Sequence, residues 1–134
     1  TMKDLRKFIA TTIREYLKES NNSQIYYHIT SLVNVLSIKT NGIKMGDGDS
    51  GKGVYLSKTL KEALTWKNIF DIENEYNGRY INKWYVVEII NLDENKIDKG
   101  EEWTGEDEDD DFYYTEWVYR DNIPTENIKS IYKI

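Results

Sequence analysis

Residues 45–66, MGDGDSGKGVYLSKTLKEALTW, run from a glycine cluster through a strand-like segment into the start of a helix. Gly46, Gly51 and Lys52 stand at the G-x-x-x-x-G-K spacing of a phosphate-binding loop. Such a loop needs a Ser or Thr hydroxyl after the Lys to hold Mg²⁺, and a strand before the glycines. Gly53 follows the Lys instead, Asp47 and Asp49 would put carboxylates in a cradle meant for phosphate, and the strand-like GVYLS comes after the glycines. A Ca²⁺ loop fails as well. Gly51, Lys52 and Lys58 stand where a ligand, the turn glycine and the bidentate Glu belong. The glycines therefore answer to something other than a phosphate or a metal.

Working outward, the chain reads as one α+β domain over residues 1–134. Leu5, Phe8, Ile9, Ile13, Tyr16 and Leu17 recur at helical spacing, which predicts an amphipathic N-terminal helix within residues 1–20. QIYYHIT, residues 24–30, reads as a strand. Thr30 or Ser31 caps a second helix carrying Leu32, Val35 and Leu36, and Gly42 stops it. After the glycines comes a strand over 53–57. Thr59 and Glu62 then form a T-x-x-E capping box for a third helix, whose stripe of Ala63, Trp66 and Phe70 faces inward. KWYVVEII, FYYTEWVY and IKSIYKI predict closing strands, the last after the single Pro124.

Composition narrows the chemistry. With no Cys and one His, the chain lacks a disulfide framework and thiolate chemistry, and a structural or His-rich zinc site is not expected. The 18 aromatic residues, 11 of them Tyr, line either a core or a cleft that stacks a planar ligand. The net charge of −6 is local: residues 101–111, EEWTGEDEDDD, hold eight carboxylates and no base, leaving 18 bases against 16 acids elsewhere. This predicts an acidic loop over 100–112. No secretory apolar segment and no long apolar run is visible, so a soluble cytoplasmic protein without membrane partners is expected, one that could also act inside a host cell.

Taken separately, the candidate residues have ordinary readings. A lone His on a strand is commonly a satisfied, half-buried side chain, Tyr55 and Trp66 sit on apolar faces, and an acidic run is commonly solvated. Glu116 is less ordinary. Strand alternation puts it on the face of Tyr114 and Val118, where a carboxylate is costly unless used or paired.

Three segments in order, YYHIT, GKGVYLSKTLKEALTW and YYTEWVYRDNIP, resemble the signature blocks of ADP-ribosyltransferases of the diphtheria-toxin and poly(ADP-ribose) polymerase type. The resemblance covers residues 25–125. YYHITSLVNVLSIKTNGIKM is also similar to the opening of the DNA-modifying toxins of that superfamily. The resemblance implies two small packed, mainly antiparallel sheets around an NAD⁺ cleft, and a His28–Tyr55–Glu116 triad. In that scheme Glu116 takes the 2′-hydroxyl of the nicotinamide ribose and stabilises the cation growing on the sugar. His28 holds the adenosine ribose, Thr30 steadies the imidazole, and the backbone at Ile29 reads the carboxamide. Tyr55 and Trp66 sandwich the nicotinamide, while Gly51 and Gly53 let the chain pass close to the ligand. Ala63 stands where the polymerases have a Ser, with Ser57 as its substitute.

The implied activity is mono-ADP-ribosyl transfer from NAD⁺, its substrate, to a macromolecular acceptor with release of nicotinamide, without a metal. Tyr114, two residues before Glu116, replaces the Glu or Gln of arginine-modifying relatives. Acceptor recognition falls to Glu106, Asp107, Glu108, Asp109, Asp110, Asp111 and Tyr114; so acidic a run favours a basic protein surface over nucleic acid. An alternative keeps the fold without catalysis: an inhibitory protein whose residues 101–111 mimic nucleic-acid phosphate. An RNA 2′-phosphotransferase ranks last, because no Arg follows His28 to grip phosphate.

Overall fold

A computed structural model of the chain describes residues 2–6, 24–76, 83–104 and 113–134. It is a small α+β domain with two three-stranded antiparallel sheets. The first sheet is ordered β1 (Tyr26–Ser31), β3 (Trp84–Ile89), β6 (Ile128–Lys133), and the second β2 (Val54–Leu56), β5 (Tyr113–Tyr119), β4 (Ile97–Thr104). Helix α1 (Leu32–Asn41) and helix α2 (Leu60–Tyr76) lead out of β1 and β2. Residues 2–6 are helical, and the rest of the predicted N-terminal helix lies outside the described residues.

Among the described residues, the two sheets are joined by a backbone bridge between β1 and the end of β2. Tyr27 N–H donates to the Ser57 carbonyl at 2.8 Å and Ser57 N–H to the Tyr27 carbonyl at 2.9 Å, an antiparallel bridge between β1 and the end of β2. Beyond it β1 pairs with β3, from Tyr26 against Ile89 to Ser31 against Trp84, while β2 pairs with β5, Val54 against Tyr119. Tyr26, Val54, Leu56, Val87, Ile89, Tyr119 and Ile123 form the core, and Ile38 of α1 packs into it. These are the large apolar and aromatic side chains whose burial drives folding.

The helix ends follow local chemistry. Ser31 occupies the N-cap position of α1 but its side chain makes no capping bond. At the other end Gly42 adopts φ +76° and its N–H closes on the Ile38 carbonyl at 2.9 Å. For α2 the Thr59 hydroxyl accepts from Glu62 N–H at 3.1 Å, the forward half of the expected capping box. The Glu62 carboxylate is shared: Oε1 accepts from the Thr59 hydroxyl at 3.3 Å, and Oε2 accepts from the backbone N–H of Thr115 at 3.1 Å, tying the start of α2 to β5 one residue before Glu116.

One strand was not foreseen. Residues 97–104 form β4, so Gly100–Thr104, assigned to the acidic loop, are strand. The charges there hid the pattern, because an edge strand tolerates charge on its solvent side. Residues 105–112, and with them Glu106–Asp111, lie outside the described residues.

Gly42 gives a direct test of the packing. A Cβ there would lie 2.1 Å from the Ile123 carbonyl oxygen, at a φ that L side chains avoid. Gly42→Ala is expected to lower unfolding stability by about 3 kcal/mol or more in chemical denaturation, since both the strain and the Ile43–Ile123 bridge are affected.

Candidate active site

His28 and Tyr55 come together at the sheet junction. The Nδ1 of His28 lies 2.8 Å from the Tyr55 carbonyl oxygen, and since a carbonyl only accepts, Nδ1 carries the proton. Burial pushes the imidazole below its usual value, against the Tyr55 carbonyl that favours the cation, so the ring is neutral and Nε2 is left as an acceptor. Thr30, expected to steady this ring, is buried on the same strand, but the Tyr55 carbonyl fixes the imidazole.

A cavity of about 330 Å³ opens beside the pair. Its walls include His28, Thr30, Asn34, Lys44, Gly53 and Tyr55. The volume is at the lower end of small-molecule sites. Ile29 adds backbone to this region. Same-edge groups of a strand recur every second residue, so the N–H and C=O of Ile29 face the same edge as those of Tyr27, past the point where Ser57 closes it. A branched Ile is acceptable because only its main chain is presented there.

Glu116 is the most unusual residue of the fold. It is 5% exposed, and Oε1 is buried without a hydrogen-bond partner. Its carboxyl is held above the usual value by burial first, opposed by the nearby Ser50 hydroxyl and reinforced by the charges of Glu101 and Asp49. A β-bulge creates its surroundings. Lys99 pairs with Trp117 and Glu102 with Thr115, so Gly100 and Glu101 together oppose Glu116 alone. A Cβ on Gly100 would meet Oε1 at 2.7 Å and the Ser50 hydroxyl at 2.9 Å; only glycine leaves room for the carboxylate.

The glycine-rich turn closes over this group. The Tyr55 hydroxyl donates to the Gly51 carbonyl at 2.5 Å and accepts from Ser50 N–H at 3.1 Å. Arg120, at the end of β5, donates from Nη1 to the Lys52 carbonyl at 3.0 Å and from Nη2 to the Ser50 carbonyl at 2.8 Å, while its Nε pairs with Asp98 at 2.7 Å. Neither Arg120 nor Ser50 stood out in the sequence. The basic residue directly after β5 was the only available signal.

Other expectations change. Trp66 does not line the cavity with Tyr55; its ring stacks on Tyr114, with centroids 5.8 Å apart and planes 15° from parallel. Tyr114, assigned to acceptor recognition, is 2% exposed and presents nothing to a macromolecule in this arrangement. Its phenol is pushed up to about 12 by burial, with a bond from Ser57 opposing and Glu116 and Glu62 reinforcing. Ser57 is therefore engaged with Tyr114, and Ala63 is fully buried. Gly53 lines the cavity, but its missing side chain faces β5: a Cβ would lie 2.4 Å from Val118 Cγ1 and 2.7 Å from the Tyr119 carbonyl oxygen. Gly51 serves the turn itself at φ +94°. Among the described residues no group of three metal-ligating side chains occurs, and no helix is long and apolar enough to cross a membrane.

No protein-family model matches the chain, and no curated protein matches it.

The burial of Glu116 has a measurable sign. A carboxyl that holds its proton to higher pH when folded makes stability fall as pH rises from the ordinary Glu value through the raised one. Glu116→Gln removes that deficit. The variant is expected to be more stable than the wild type at pH 7, with the advantage fading below the ordinary Glu value, in denaturant titrations at the two pH values.

Proposed function

We propose that this chain is a mono-ADP-ribosyltransferase that cleaves NAD⁺, releases nicotinamide and passes one ADP-ribosyl unit to a protein. The observation that carries the reading is Glu116: a carboxylate almost wholly removed from water, with one oxygen unpartnered, one strand away from Tyr55. Such a group is costly to keep unless its charge is used. Two small antiparallel sheets joined between β1 and β2, with His28 and Tyr55 at the junction, support the ADP-ribosyltransferase-like fold.

The roles follow from the chemistry. Breaking the bond between nicotinamide and ribose leaves positive charge on the sugar, and an ionised Glu116 stabilises it while accepting the ribose 2′-hydroxyl. Neutral His28 offers Nε2 to a hydroxyl of the other ribose. The backbone of Ile29 and the ring of Tyr55 supply an amide edge and a stacking surface for nicotinamide. With Trp66 engaged by Tyr114, the ring is held on one face by Tyr55 alone. Glu101 beside Glu116 repels phosphate, which favours a protein acceptor over nucleic acid.

The test is nicotinamide release from NAD⁺ by the purified protein, with and without cell lysate. Wild type is expected to release it, and Glu116→Gln to lose at least about 100-fold, the scale of removing one charge-stabilising group. Release should fall on acidification, as Glu116 takes up its proton and His28 loses its acceptor nitrogen. No release and no NAD⁺ binding by calorimetry would sink the reading.

A further inference from the structure

We propose that the turn Asp47–Lys52 is a strap that seals Glu116 and must lift before Glu116 can meet any substrate, with Arg120 as its latch. This goes beyond the transferase reading, because the sealing of the carboxylate is independent of the reaction it serves.

The strap has two fixed ends and a loosely held body. At its ends Gly46 and Gly53 bridge each other by two hydrogen bonds of 2.9 Å, so the excursion between them can swing without disturbing β2. Within it, Asp47, Gly48, Asp49, Gly51 and Lys52 are exposed, and only Ser50 turns inward, beside Glu116. No apolar side chain anchors it. Apart from the bond from Gly51 N–H to the Gly48 carbonyl, the closed position rests on Arg120 gripping two carbonyls, on the Tyr55 hydroxyl between the Gly51 carbonyl and Ser50 N–H, and on the Ser50 hydroxyl beside Glu116. A segment with few apolar contacts and solvent-edge hydrogen bonds opens at low free energy.

Closure also conflicts with use. The tip of the Tyr55 ring packs on Gly48, where a Cβ would lie 2.3–2.4 Å from its atoms, and the Ser50 hydroxyl stands beside the carboxylate that a substrate hydroxyl would need. The strap thus occupies the approach to both groups. Asp49, carried on the strap, adds negative charge beside Glu116 and leaves with it on opening.

The experiment measures access to Glu116 without relying on activity. The folded protein is treated with a water-soluble carbodiimide and glycine ethyl ester, and labelling of Glu116 is timed by peptide mass spectrometry. Two variants open the strap by different routes: Arg120→Ala removes the latch, and Gly48→Ala blocks closure against Tyr55. Lys96→Ala, which loses the exposed ion pair with Asp121, is the control for general loosening. Both strap variants are expected to label Glu116 about tenfold faster than wild type or more, and Lys96→Ala at the wild-type rate. Equal rates in all four proteins, or acceleration in the control as well, overturn the proposal. If Arg120→Ala does not fold, the exposed Gly48→Ala substitution decides alone. Nicotinamide release by the wild type and Arg120→Ala separates the two ideas: faster labelling of Glu116 without release by either keeps the strap and removes the transferase.

Discussion

The paired hydrogen bonds between Tyr27 and Ser57 are the constraint on which the rest of the structure depends. They join two sheets that otherwise go separate ways, β1 to β3 and β2 to β5. Because the strands part immediately after the bridge, main-chain groups that would have paired in one continuous sheet are left facing a gap. The imidazole of His28 fills part of it by taking the Tyr55 carbonyl, so the same divergence that opens the cavity also sets the tautomer of the histidine.

On the far side of β2 the governing effect is electrostatic. Glu116 keeps an oxygen without a partner, in a space cleared by the bulge at Gly100–Glu101 and with two further carboxylates near it. Nothing in β-sheet pairing requires an acid at this position. The neighbouring residues on its face, Tyr114 and Val118, show what packing alone would select. The ion pair of Arg120 with Asp98, at the surface, contributes little stability by itself. Its value lies in orienting a guanidinium toward two backbone carbonyls of the turn.

Most of this was legible where the physics is local. The period-two run of QIYYHIT, the glycine that ends α1 and the Thr59 cap all appear where local chemistry places them, because each depends on residues a few positions apart. Strand β4 was not legible, since IDKGEEWT has the charge of a loop and becomes a strand only through β5. The same limit applies to the rings. Tyr55, Trp66 and Tyr114 read alike as aromatic residues on apolar faces, and only tertiary placement separates the one beside the cavity from the two that stack on each other. Gly53 and Gly100 likewise owe their identity to β5, far along the chain.

The sheet order also bears on how the chain acquires its shape. Neither sheet contains a pairing between strands that are neighbours in sequence, except β4 with β5. Tyr26 must find Ile89, and Val54 must find Tyr119, before either early strand has a partner. Each closure spends chain entropy before any contact rewards it, so folding is slow for a domain of this size. On the ribosome β1 and β2 emerge before their ladder partners, which arrive with β3 and β5. Among the described strands, β4 and β5 form the sheet pairing closest in sequence, which makes them the natural template on which β2 is recruited.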